Sequence, residues 1–86
     1  MTLTPKEATN LRHQILRDLQ NDSYVEMDSR FLKPIFGTEL DLSRWAASWG
    51  ITYEYFIRQG EFRSDRRTPI WWVSFRYNTP DTIVLL

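Results

Sequence analysis

Near the start of the chain, apolar residues recur every three or four positions: Ala8, Leu11, Ile15, Leu16 and Leu19. Lys6, Asn10, Arg12, Gln14, Arg17 and Gln20 fall between them. That period is helical, with one apolar stripe against a polar face. Thr4-Pro5-Lys6-Glu7 marks the start: Thr4 caps, Pro5 takes the first helical position, and Glu7 reaches back to the cap. Leu3 is placed to staple onto Ala8. Asn21-Asp22-Ser23 ends the helix with side chains that compete for backbone hydrogen bonds. A second stripe of helical period, Leu42, Trp45, Ala46 and Trp49, follows Thr38 or Asp41 as cap. It closes on Gly50, where a left-handed residue is expected, with Ile51 folding back on the last turn.

Between the two helices the pattern is irregular. Tyr24-Val25-Glu26-Met27 has the composition of a short strand, and Asp28-Ser29 reads as a turn. Phe31, Leu32, Ile35 and Phe36 are apolar, but Pro34 disfavours a helical Lys33 and lacks an N–H. The reading is a connection that folds apolar groups inward and closes at Gly37.

From Ile51 the period changes to two. Ile51, Tyr53, Tyr55 and Ile57 alternate with Thr52, Glu54, Phe56 and Arg58, as in a strand. Ile70 to Tyr77 repeats the pattern, with Trp71, Val73, Phe75 and Tyr77 on one face and Ile70, Trp72, Ser74 and Arg76 on the other. Gln59 to Pro69 is the polar hairpin connection between them. Asn78-Thr79-Pro80-Asp81 reads as a tight turn and Thr82 to Leu86 as a final strand. The fold class predicted is therefore α+β: two helices packed on a three-stranded antiparallel β-meander, four-stranded if Tyr24 to Met27 joins it. It forms one domain over residues 1–86. A competing parse takes 42–59 as a helix-turn-helix and 61–77 as a winged hairpin with Asp65 to Thr68 as the wing.

Composition sharpens this picture. Of thirteen aromatic residues, ten lie between Trp45 and Tyr77, and residues 51–86 hold five arginines and no lysine. A small core cannot bury so many rings, and exposed rings beside arginines are the material of protein interfaces. Eleven basic residues balance eleven acidic ones, so a broad phosphate-binding face is not expected. Without cysteine there is no disulfide, thiolate metal site or thiol nucleophile. No apolar run reaches the length of a membrane span, and the first residues do not resemble a secretory signal; cytoplasmic residence is the default expectation.

Catalytic patterns were sought residue by residue. His13 has no carboxylate or second histidine at helical spacing, the glycines are isolated, and no nucleophile elbow or paired-carboxylate spacing occurs. The chain is read as a non-enzyme without cofactor or metal. Its expected role is a protein-binding regulator, an inhibitor or adaptor that docks on a larger protein. Small size and style also suit a phage or mobile-element product. The expected partner-binding residues are Arg58, Arg63, Arg66, Arg67, Trp72 and Arg76, on an open sheet face and the 58–69 hairpin. Nucleic-acid binding through stacked rings and arginines is the alternative, weakened by Glu54, Glu61 and Asp65 in the same stretch. The uncharged apolar end, Thr82-Ile83-Val84-Leu85-Leu86, offers a homodimer contact through the C-terminal strand.

Overall fold

The computed structural model describes residues 3–77. Helix α1 runs Pro5–Asp22, strand β1 Tyr24–Asp28, and a 3-10 turn Ser29–Phe31 leads into the short helix α2, Leu32–Phe36. Helix α3 covers Glu39–Ser48, and strands β2, Ile51–Phe62, and β3, Pro69–Tyr77, follow. The α+β class is as expected, but the described residues contain three α-helices rather than two. The three-stranded antiparallel sheet has the order β1-β3-β2.

The helix caps form where the sequence places them. Thr4 and Glu7 make a reciprocal capping box at α1, and Ser23 closes it in the left-handed region at φ 63° while its N–H bonds Leu19 O. Thr38 rather than Asp41 caps α3, and Asp41 completes the box by accepting from the Thr38 N–H. A side chain at Gly37 would be strained at φ 93°, and its Cβ, 2.6 Å from the Asp41 carboxylate oxygen, would displace that capping carboxylate. Gly50 occupies the expected left-handed position after α3, at φ 66°.

Several expectations are corrected. Lys33 is helical, because Pro34 falls in the first turn of α2, where backbone N–H groups have no intrahelical partner to lose. Residues 51–59 are strand throughout, so the helix-turn-helix parse of 42–59 with a wing at 61–77 does not hold. The β-branched and aromatic residues of that stretch prefer the pleated, half-buried surface they occupy. β3 is central, as expected, but the third described strand is Tyr24–Asp28, on the edge of β3 that the expected C-terminal strand would have used. Val25 faces Phe75 and Met27 faces Val73 on one side of β3, while Tyr53 faces Phe75 and Tyr55 faces Val73 on the other. Over this stretch both edges of β3 are taken. The strand expected at Thr82 to Leu86 lies outside the described residues.

All three helices lie against one sheet face. Leu19, Leu42, Val73 and Phe75 are buried almost completely. Phe75 is ringed by Phe36, Trp45 and Tyr53, with ring centroids 5.9, 6.0 and 6.3 Å away. Trp49, expected on the same stripe as Trp45, is 52% exposed, because it falls at the C-cap where α3 ends. Leu11 is also exposed, at the edge of the α1 stripe. Arg12 ties α1 to α2 by donating to Ile35 O at 2.7 Å.

Phe75→Ala should cost about 3–5 kcal/mol, a large part of the stability of a domain this small. Phe62→Ala, at an exposed ring, should cost no more than about 0.5 kcal/mol. Urea unfolding of the two variants checks the contrast.

Candidate protein-binding surface

The side chains expected at the site divide between two places. Arg58, Trp72 and Arg76 lie on the sheet face opposite the helices, and Arg63, Arg66 and Arg67 lie at the tip of the β2–β3 hairpin. The two groups are put to different use.

On the open face, β1 contributes Tyr24, Glu26 and Asp28, β3 contributes Arg76, Ser74 and Trp72, and β2 contributes Thr52, Glu54, Phe56 and Arg58. Arg58 reaches from one edge strand across the central strand to the other. Its guanidinium lies 3.9 Å from the Trp72 ring centroid and pairs with Glu26 of β1. The Trp72 indole N–H donates to Glu61 Oε1 at 2.9 Å. Arg76 stacks on Tyr24 at 4.7 Å, and the Tyr24 hydroxyl donates to Glu26. These contacts half-bury Trp72 and leave Ser74 buried beneath them. The Tyr24 hydroxyl above all holds the Glu26 carboxyl below its ordinary value; burial opposes it, and Arg58 adds to the lowering. Arg58 and Arg76 are thus engaged with neighbours of their own sheet. The face carries mixed charge, and the Trp72 and Tyr24 rings each have an arginine over them.

The hairpin tip is an ordered turn. The Arg63 N–H donates to Thr68 O at 2.8 Å, and Asp65 Oδ1 accepts from the N–H groups of Arg67 and Thr68 at 2.9 and 3.0 Å. Its Oδ2 accepts from the Thr68 hydroxyl at 2.8 Å. The backbone bond from Arg67, then those from Thr68, keep the Asp65 carboxyl below its ordinary value. Arg66 sits in the left-handed region at φ 58°, a conformation unusual for a non-glycine residue and fixed here by the Asp65 bonds around it. Arg63, Arg66 and Arg67 are exposed, with no salt bridge among the described residues.

A third feature was not singled out from the sequence. On the helix-facing side, the sheet runs on past the helices. Val73 and Phe75 are fully buried, yet Trp71, two positions along the same face, is 48% exposed. Ile57 faces Trp71 across the ladder, Phe62 faces Pro69 beyond a bulge, and Tyr55 lies next along β2. All four of Tyr55, Ile57, Phe62 and Trp71 are exposed. They form an apolar shelf leading to the arginine tip. Of the adjacent tryptophans, Trp72 leaves the helix side as alternation requires, but Trp71 is the more exposed of the two. The alternation of Tyr53, Tyr55 and Ile57 with Trp71 was visible in the sequence. What it could not give was how far along the strands the helices reach.

The inner end of the shelf is held by Glu39 at the start of α3. Its two carboxylate oxygens accept from the Tyr53 and Tyr55 hydroxyls at 2.7 Å each. Tyr53 also shares a 2.8 Å bond with Ser43. The Tyr53 bond, then the Tyr55 bond, lower the Glu39 carboxyl. Burial and then the Glu39 bond push the Tyr55 phenol well above its ordinary value. A groove of about 450 Å³ runs beside this cluster, lined by Leu32, Lys33, Thr38, Leu42 and Tyr55 among others.

His13 is exposed on α1. Among the described residues no group of three His, Cys, Asp or Glu is placed to hold a metal, and no helix is long and apolar enough to cross a membrane. Comparison with protein-family models, with curated proteins and with solved structures finds no match to this chain.

Glu26, Asp28, Glu39 and Asp41 all have carboxyls held below their ordinary values by hydrogen bonds or ion pairs of the fold. A carboxyl lowered on folding stabilises the fold above its unfolded value, and that contribution is lost as pH falls through the folded value. The melting temperature should therefore be flat near neutrality and drop between roughly pH 5 and pH 3. Glu39→Gln should make that drop shallower. Thermal melts of both proteins across this range test it.

Proposed function

We propose that this chain is a non-enzymatic protein-binding regulator, of inhibitor or adaptor type, that docks on a larger protein through its β2–β3 arm. The supporting observation is the apolar shelf of Tyr55, Ile57, Phe62 and Trp71, which continues into the Arg63, Arg66 and Arg67 tip. Aromatic side chains and arginine dominate interface energies, and the β-arm sets them side by side. The shelf supplies the buried centre of such an interface. The tip supplies charged rim contacts to an acidic border on the partner, and arginine's planar fork suits carboxylates. Arg58, Trp72 and Arg76 brace the sheet from behind and do not belong to this contact.

Nucleic-acid binding draws less support. Residues 51–59, the expected recognition helix, are strand, and Glu26, Glu54, Glu61 and Asp28 stand among the rings of the open face. Such a face gives little counterion release.

Tagged protein should capture one protein from nuclease-treated lysate. Trp71→Ala should weaken that capture at least tenfold, as removal of an interface anchor of about 2 kcal/mol does. Arg66→Glu combined with Arg67→Glu should slow association and leave the urea midpoint nearly unchanged. Capture unaffected by these substitutions would remove the arm from the site. Capture abolished by nuclease, with steep weakening in added salt, would favour the nucleic-acid reading.

A further inference from the structure

We infer that two copies of this chain pair through the free edge of β2 to form a continuous six-stranded sheet, with a twofold axis at Phe56. The inference does not depend on the regulator reading, since it concerns the protein alone in solution.

In the sheet order β1-β3-β2, strand β2 lies at an edge, so among the described residues one row of its backbone N–H and C=O groups has no strand beside it. Edges of this kind are usually blunted by brevity, lysine, proline or a covering element. Here β2 is twelve residues long, contains neither lysine nor proline, and is exposed at Thr52, Glu54, Tyr55 and Ile57. A bulge interrupts the strand between Ile57 and Phe62. It bends the edge and confines regular pairing to the stretch before and around Arg58.

Side chains select the register. A twofold perpendicular to the sheet pairs antiparallel strands and keeps both helix layers on the same side, so odd residues meet odd and even meet even. An axis at Glu54 or at Arg58 would set like charges directly opposite each other. An axis at Phe56 places Glu54 opposite the second copy's Arg58, twice by symmetry. It also pairs Phe56 with its own copy on the open face, and Tyr55 with Ile57 on the helix face. These are opposite-charge, aromatic–aromatic and aromatic–β-branched pairs, the combinations that favour strand pairing. Glu54 is exposed and forms no ion pair among the described residues, so it is free to meet this charge. Arg58 leans inward over Trp72 to Glu26 of β1, and it turns outward to meet the second copy's Glu54. The strands run in opposite senses, so the two arginine tips point away from each other and the dimer carries two docking arms.

Light scattering and sedimentation of the purified chain, from low micromolar to about 0.5 mM, should show a reversible monomer–dimer equilibrium. Glu54→Lys should raise the dissociation constant roughly tenfold or more by setting like charges opposite at both symmetric pairs. Arg58→Glu should do the same. An equimolar mixture of the two variants should restore dimer, because every cross-strand pair is then of opposite sign. A monomer at every concentration, or a dimer indifferent to Glu54→Lys, would overturn the inference. Should Arg58→Glu fail to fold, a single cysteine can replace the mixing test, since the chain has none of its own. Phe56→Cys should cross-link to a covalent dimer in oxidised glutathione, because residues opposed on the axis lie within disulfide reach. Thr52→Cys, far from its own copy in this register, should not. Equal cross-linking of the two would also overturn it.

Discussion

A three-stranded sheet has two faces and two edges, and this chain has helix enough to cover only part of one face. The rest of the structure follows from that shortage. Phe75 and Val73 lie under the helices and carry the core, with Phe36, Trp45 and Tyr53 packed around the Phe75 ring. Among the described residues the opposite face has no second layer. Polar side chains supply a substitute there: Arg58 spans the sheet from β2 to β1 over Trp72, and Glu26 and Glu61 fix the two ends of that bridge. A planar cation over an indole covers apolar surface while keeping its charge hydrated at the margin, which is how long basic side chains make up for missing core.

This arrangement changes what the arginines mean. Five arginines and no lysine in residues 51–86 suggest a single binding surface. The structure separates them by partner. Arg58 and Arg76 stack on rings of their own sheet, while Arg63, Arg66 and Arg67 extend from a turn organised around Asp65. Composition carries no information about which cation has a neighbour to stack on.

Periodicity carried most of the local structure. The first helix, its capping box, the second stripe from Leu42 to Ala46, and both long strands were legible, because each rests on contacts between residues close in sequence. The failures are non-local. Nothing near Tyr24 says that this strand pairs with Val73 to Arg76, some fifty positions on, and takes the edge of β3 that a meander would have used. Pro34 was read by its general effect rather than by its position in the first helical turn. Trp49 follows the same spacing as Trp45, but only the end of α3 decides that one is packed and the other exposed. The shelf was missed for a related reason. Trp71 and Val73 share a face and a periodicity, and only the reach of the helix layer distinguishes them.

That boundary between Val73 and Trp71 also sets how the molecule moves. Inward of it, the β2–β3 ladder lies under the helix layer on one face, and opening it disturbs the core around Phe75. Outward of it, the ladder is a two-stranded ribbon with a bulge and no covering layer, a unit that is marginal by itself in water. Its amides are therefore expected to exchange through local openings that leave the body folded, and those beside Phe75 with global unfolding. Opening of the arm and unfolding of the domain are in this way separate events with separate free energies.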